Sequence, residues 1–363
     1  MAANHEEEAE ICEARRARPA RGWLRRFGGG ALRLVLTAGI LAVVLWRVDA
    51  SLMLEHLARA AAGPMLGAIA VYGAFRLVIA LKWKVLLYDE GIEIGLPRIC
   101  RIVFLSSFFG MVLPGGVGAD ALRLAGLKQQ RQSLTRGAGT ILADRLFNVL
   151  VMAGFSAAGV LWVWPRLTGT AAGPVVLGLS VATLGLVAVV LWRRSFQLFR
   201  WLSEQVLGVA CRPGSRPERA GHRLLGRLDE VHQSVQALFS RPGLMARVLA
   251  LTVVATLLRV ATVWLVFIAT RTPVSLLDVL AFVPMAQLLA LLPITFLGLG
   301  VTEGAFAYFF SAVGVSAGAA VSVSLLSHVV SLVVRVLGAM VFLLGEPVFK
   351  LASPPAGAEQ GGG

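Results

Sequence analysis

The sequence predicts an all-α polytopic membrane protein with about six full transmembrane helices and two re-entrant broken-helix hairpins, or six to eight spans by other counting. Three observations carry that prediction. Hydrophobic residues make up 57% of the 363 and charged residues only 15%, a balance that no soluble globule of this length needs. The basic residues, which leave a net charge of +14, sit in blocks between long apolar runs, as the positive-inside rule expects. Two further apolar stretches are interrupted alike: FFGMVLPGGVGADALR (108–123) and LLALLPITFLGLGVTEG (288–304) each run into a proline, then glycines, then an acid. Such backbone is tolerated at membrane depth only where protein buries it or water reaches it.

The elements follow in order. Residues 1–29 read as a cytoplasmic basic tail, with Glu6, Glu7 and Glu8 ahead of an Arg-rich run suited to anionic headgroups. The acidic start and the lack of a small-residue cleavage pattern predict no cleaved signal peptide, so the first span, about 30–46, is retained. The second span covers about 63–87, and Lys82, Trp83 and Lys84 are expected to mark its cytoplasmic end, the amines reaching to headgroups. Residues 99–117 are too short and too broken to cross, and read as the rising limb of a re-entrant loop. Its hinge is Pro114, Gly115, Gly116 and Gly118, and the chain returns through Asp120 and Arg123. The third span is about 139–164 and the fourth about 174–192.

Residues 193–247 hold ten Arg against four acids and form a cytoplasmic linker. Within it Leu224, Leu228, Val231, Val235 and Leu238 make one apolar stripe, which suits either an interfacial helix or one packed on the protein's own face. The fifth span is about 248–269. Residues 276–310 form the second broken hairpin, hinged at Pro293, Gly298, Gly300 and Gly304, and the last span is about 318–344. Residues 347–363 are a Pro/Gly-rich tail expected to be disordered.

This series divides the 30–346 membrane domain into two similar units, about 30–165 and 172–346. Each has three crossings and one re-entrant element, so the second unit is expected to be inverted relative to the first. Arg76 precedes Asp120 by 44 residues (120 − 76) and Arg259 precedes Glu303 by 44 (303 − 259), a spacing that supports the repeat.

Charges within the spans point to function. An Arg at the centre of a span costs roughly 2.5–3.5 kcal/mol even on a lenient scale, so Arg76, Arg259 and Arg335 together cost on the order of 8–10 kcal/mol. Asp120, Asp144 and Glu303 are the available counter-charges. Either these residues form ion pairs that pin helices, or the guanidinium groups meet an anionic ligand, a lipid phosphate being the natural one. Asp144 and Arg145 are adjacent, so on a helix they diverge by about 100° and each needs its own partner. His328 titrates near neutrality if it faces a site, and otherwise is a core histidine among Ser324, Ser327 and Ser331. The glycines let a half-helix N-terminus face an anion, although close packing explains them nearly as well. Cys12, Cys100 and Cys211 suggest neither a disulfide framework nor a metal site, no Gly cluster has the form of a nucleotide loop, and no cofactor is implied.

Three segments, LPGGVGADALRLAGL (113–127), ADRLFNVL (143–150) and LPITFLGLGVTEGAF (292–306), resemble the signatures of the flippase-like transmembrane domain of lysylphosphatidylglycerol synthases, which also occurs as stand-alone bacterial and archaeal proteins. The resemblance implies re-entrant helices forming cavities and a role in moving lipids between leaflets. It marks Asp120, Arg123, Asp144, Arg145 and Glu303 as the polar motif positions. No aminoacyl-transferase domain follows Leu344, so lysyl transfer is not expected. Some stand-alone relatives accompany hopanoid, glycolipid or polyprenyl-linked sugar pathways, so the resemblance implies membrane lipids as partners and, beside them, enzymes of lipid or glycolipid synthesis. The expectation is a lipid translocase or accessory lipid-handling protein of the bacterial inner membrane, with both termini cytoplasmic, handling an anionic lipid and no nucleic acid. The alternatives are an intramembrane enzyme or enzyme subunit acting on a polyprenyl-phosphate lipid, and a structural scaffold.

Overall fold

The computed structural model describes residues 60–109, 117–130, 132–167, 172–191, 216–290 and 300–343. Every regular element among them is a helix: α1 (Ala62–Asp89), α2 (Leu96–Phe109), α3 (Val117–Gln129), α4 (Leu134–Leu167), α5 (Ala172–Leu191), α6 (Arg216–Phe239), α7 (Pro242–Ala269), α8 (Leu276–Ala290), α9 (Val301–Ser311) and α10 (Ala317–Leu343). The N-terminal tail, the span expected at 30–46, the C-terminal tail and the hinge residues Pro114, Gly115, Gly116, Pro293 and Gly298 lie outside the described residues.

Among the described residues four helices, α1, α4, α7 and α10, are long and apolar enough to cross a bilayer. Large side chains such as Leu66, Leu77, Leu161 and Val341 stand on their outer faces, where the surrounding medium is lipid. This is an integral membrane protein. Several helices begin earlier than expected: α4 starts at Leu134 rather than near 139, and α7 at Pro242 rather than near 248. Pro242 sits in the first turn of α7, where its missing N–H costs nothing. The limb expected at 99–117 is a regular helix from Leu96 that ends at Phe109, with a new helix from Val117. The second hairpin divides likewise into α8 and α9.

At the centre, α1 and α7 lie against each other and run antiparallel. The N–H of Ala61, at the start of α1, donates to the carbonyl of Ala269 at the end of α7 (2.8 Å). At the opposite end Arg241, just before α7, pairs with the Asp89 carboxylate and donates to the Asp89 carbonyl at 3.3 Å. Both helices have 28 residues and stop in the same way, at a residue with positive φ: Gly91 (74°) after α1 and Arg271 (54°) after α7.

Small residues let the remaining helices approach closely, as is usual where lipid supplies no hydrophobic drive for helix association. Gly159 of α4 lies so near α8 that a Cβ there would fall 2.8 Å from the Ala281 Cα, and Gly338 of α10 faces the Phe104 ring of α2. An aromatic group closes the centre: Phe282 of α8 stacks on Phe309 (5.7 Å) and meets Phe310 edge-on (5.2 Å), while Phe310 touches Phe267 of α7 (4.7 Å). The amphipathic stripe turns inward on α6. Val235 and Leu238 are buried and Phe239 stacks on Phe147 of α4 at 4.3 Å, so this end of the helix packs on the protein itself.

Candidate functional site

The sequence-predicted ionisable residues separate into three groups. The first is a closed cluster between α1, α3 and α4. Lys82 is fully buried, with Nζ 2.8 Å from Asp144 Oδ1 and donating to Asn148 Oδ1 at 2.6 Å. Arg123 reaches Asp144 Oδ2 at 3.7 Å and lies over the Trp83 ring (5.3 Å), and the Trp83 indole N–H donates to Thr140 Oγ1 at 3.2 Å. Lys82 therefore does not snorkel to the headgroups as expected from Lys-Trp-Lys. It is the partner of Asp144, and sequence reading missed it because nothing local distinguishes it from Lys84. The second group is the half-exposed pair of Arg145 with Asp120, in which Nε donates to Oδ2 at 2.6 Å. Asp144 and Arg145 thus diverge to separate partners, as helix geometry requires.

The third group surrounds a cavity of about 360 Å³ between α1, α7, α8, α9 and α10. Arg259, Arg335 and Tyr72 line it together with Thr262, Gln287, Thr302, Ser324, Ser327 and His328. Val263, Val283, Phe306, Leu325, Val329 and Leu332 form its apolar wall, and Val329 and Leu332 also face outward, so the cavity borders the lipid side of α10. On α10 the positions 324, 328, 331 and 335 recur at helical spacing, which gives the polar residues one face.

Of the two alternatives for these charges, ion pairs of Arg76, Arg259 and Arg335 with Asp120, Asp144 and Glu303 are not found among the described residues. Among the described residues no carboxylate lies within 4 Å of any of these arginines. Arg76 donates to the Val103 carbonyl at 3.1 Å and sits 5.8 Å from the Phe104 ring, Arg259 lies 5.9 Å from the Phe75 ring, and Arg335 donates to Tyr72 Oη at 3.4 Å. The Nε of each is buried with no hydrogen-bond acceptor among the described residues. Asp120 and Asp144 are already committed elsewhere.

Glu303 is committed too. It sits in the first turn of α9, fully buried; Oε2 accepts the Gly300 N–H at 2.6 Å and Oε1 accepts the Ser324 hydroxyl at 3.2 Å. His328 Nδ1 lies 3.3 Å from Oε1. The capping arrangement explains the glycine: Gly300 has φ 85°, which L side chains rarely adopt. Gly304, in the helix, donates its N–H to the Gly300 carbonyl at 2.9 Å, and Gly118 is buried at the start of α3.

With this geometry in view, relatives place the chain. The lysylphosphatidylglycerol synthase TM region matches residues 30–339. The chain belongs to this family. Among its relatives, a UPF0104 membrane protein of Pyrococcus horikoshii is 22% identical over 313 residues, covering 83% of this chain and 92% of that protein. A UPF0104 membrane protein of Methanothermobacter thermautotrophicus is 21% identical over 317 residues, covering 83% and 91%. The family match takes in the segments that hold the α3–α4 charge cluster and the α9 cap, so both are parts of the family's membrane region.

Proposed function

We propose that the protein is a lipid translocase or accessory lipid-handling protein, and that the α7–α10 cavity receives the anionic headgroup of a phospholipid, glycolipid or polyprenyl-linked lipid on its way between leaflets. One observation carries this reading: Arg259 and Arg335 face a common cavity beside the lipid phase without any carboxylate partner among the described residues. Unpaired guanidinium groups at membrane depth are costly, and a phosphate that accepts a bidentate hydrogen-bond pair offsets that cost. The apolar wall gives the acyl or prenyl chain a path past Val329 and Leu332. The protein is proposed to lie in the bacterial inner membrane with both ends cytoplasmic, since the basic blocks at 1–29 and 193–247 then fall on one side. An inverted repeat is part of the same proposal. It is supported by the antiparallel α1 and α7, by their equal lengths and matching ends, and by the same run of elements after each.

The test is mass spectrometry of the lipids that co-purify in mild detergent. Wild-type protein is expected to carry one anionic class in excess of its share of the membrane, and Arg259→Gln to lose that excess while keeping its fold. Bulk-like lipid in both proteins would remove the headgroup site.

A further inference from the structure

We propose that the cavity takes up a proton together with its anionic ligand, at Nε2 of His328, so that binding and release of the headgroup are proton-coupled. This inference rests on the headgroup site proposed above.

The hydrogen-bond network assigns the imidazole tautomer. His328 Nδ1 lies 3.0 Å from the Ser324 carbonyl oxygen and 3.3 Å from Glu303 Oε1. A carbonyl only accepts, and Glu303 Oε1 is already accepting from the Ser324 hydroxyl, so Nδ1 must carry the hydrogen. Nε2 is then the basic nitrogen. The ring lines the cavity, its side chain is 33% exposed, and Nε2 has no hydrogen-bond partner among the described residues. The buried Glu303 carboxylate behind the ring stands ready as the counter-charge of an imidazolium.

Charges brought by the surrounding elements decide when that proton binds. Alpha-9 contributes Glu303; α7 contributes Arg259; α10 itself contributes Arg335; α1 contributes the Tyr72 phenol, hydrogen-bonded to Arg335, with Arg76 next to it in the core. From α8 comes only the neutral Gln287, and α2 brings no ionisable side chain to the lining. Without an anion, two guanidinium groups on the wall outweigh one carboxylate and oppose a further positive charge. A bound phosphodiester, with its single negative charge, cancels that excess and removes the opposition. A proton from water then adds to the Nε2 lone pair, and the new N–H donates to a phosphate oxygen. When the headgroup leaves, the same proton returns to water. Linkage requires that protonation and anion binding favour each other equally, so affinity rises as pH falls.

The experiment is calorimetric titration of the full-length protein with dioctanoyl phosphatidylglycerol at neutral pH, in two buffers that differ in ionisation enthalpy. Wild type is expected to take up as much as about one proton per lipid bound, and its affinity to fall by up to about tenfold per pH unit through the histidine range. His328→Gln is expected to bind at the weak, high-pH level of wild type at every pH, with no proton uptake. Glu303→Gln removes the counter-charge instead of the ring and is expected to reduce the uptake, which gives a second measure if one variant misfolds. Glycerophosphoglycerol, the same phosphodiester headgroup without acyl chains and with no proton of its own to exchange near neutral pH, is the tail-less arm: equal proton-linked binding identifies a free phosphate ester as the ligand, and binding of the lipid alone identifies a membrane headgroup. Lipid binding with no proton exchange in wild type, or undiminished exchange in His328→Gln, overturns the proton coupling and leaves the headgroup site standing. No binding at any pH overturns the site and the coupling with it.

Discussion

Lys82 shows how much a single side chain's role depends on a partner far along the chain. Its neighbours Trp83 and Lys84 look like an interface belt, yet the helix turns Lys82 inward onto Asp144, 62 positions later (144 − 82). No pattern local to residues 80–86 carries that information, because burial is decided by which face of α1 meets α4. The buried pair makes a clear prediction. Lys82→Met leaves Asp144 buried with only the more distant Arg123, and is expected to destabilise by about 3–5 kcal/mol. The double variant Lys82→Met/Asp144→Leu removes both charges and should recover much of that loss. Thermal unfolding in detergent reads both, and a double variant as damaged as the sum of the singles would deny the pair. By contrast, the divergence of Asp144 and Arg145 was legible at once, since it follows from 3.6 residues per turn alone. Intramembrane arginines were legible as exceptional. Their lack of acidic partners among the described residues was not, because candidate acids exist in the sequence and only the fold shows them engaged elsewhere.

At the scale of the element, hydropathy and periodicity located the described spans to within a few residues of the observed helices. That α2 and α3, and likewise α8 and α9, are separate helices was visible for a related reason, since proline and glycine are the strongest local signals in the sequence between them. What periodicity does not reveal is which of many small residues makes a close contact. In α4, Gly154 and Gly159 look equivalent, but only Gly159 abuts the α8 backbone, whereas a Cβ on Gly154 would meet nothing within 4 Å. Gly159→Ala is therefore expected to push α4 from α8 and cost about 1–3 kcal/mol. Gly154→Ala is expected to be neutral or stabilising by up to about 1 kcal/mol, from helix propensity. Melting temperatures of the two variants test this directly, and equal values would remove the close contact as an explanation. The stripe on α6 is a related case: amphipathicity alone permits a lipid surface or a protein surface, and the Phe239–Phe147 stack selects the protein for its C-terminal end.

For the whole molecule, the proposed duplication draws more support from the spacing of the elements than from the charges. The ends of α1 and α7 are 180 positions apart (269 − 89), and so are the starts of α2 and α8 (276 − 96). Later elements shift slightly, with α3 and α9 starting 184 apart (301 − 117). Arg76 and Arg259 are 183 apart, so within α1 and α7, the middle crossings of the two units, they are offset by about one turn, and the equal 44-residue spacings absorb that shift rather than reflecting strict equivalence. An inverted arrangement puts the loops after α1 and α7 on opposite sides of the membrane. Glu93→Cys and Pro273→Cys, both at exposed positions, in a background with Cys12, Cys100 and Cys211 changed to Ser, test it. A membrane-impermeant thiol reagent is expected to label one from outside the cell and the other only after lysis; labelling of both from one side would exclude inversion.

The two ties between α1 and α7, Ala61 to Ala269 at one end and Asp89 to Arg241 at the other, have a mechanical consequence. Twenty-eight residues at 1.5 Å each make a rod of about 42 Å, close to the whole bilayer with its headgroup layers. Rods fastened at both tips cannot slide or lean separately, so hydrophobic mismatch falls on the lipid and on tilt of the pair as one body. The centre of this protein is a strut of set length, and a thinner or thicker bilayer must accommodate it.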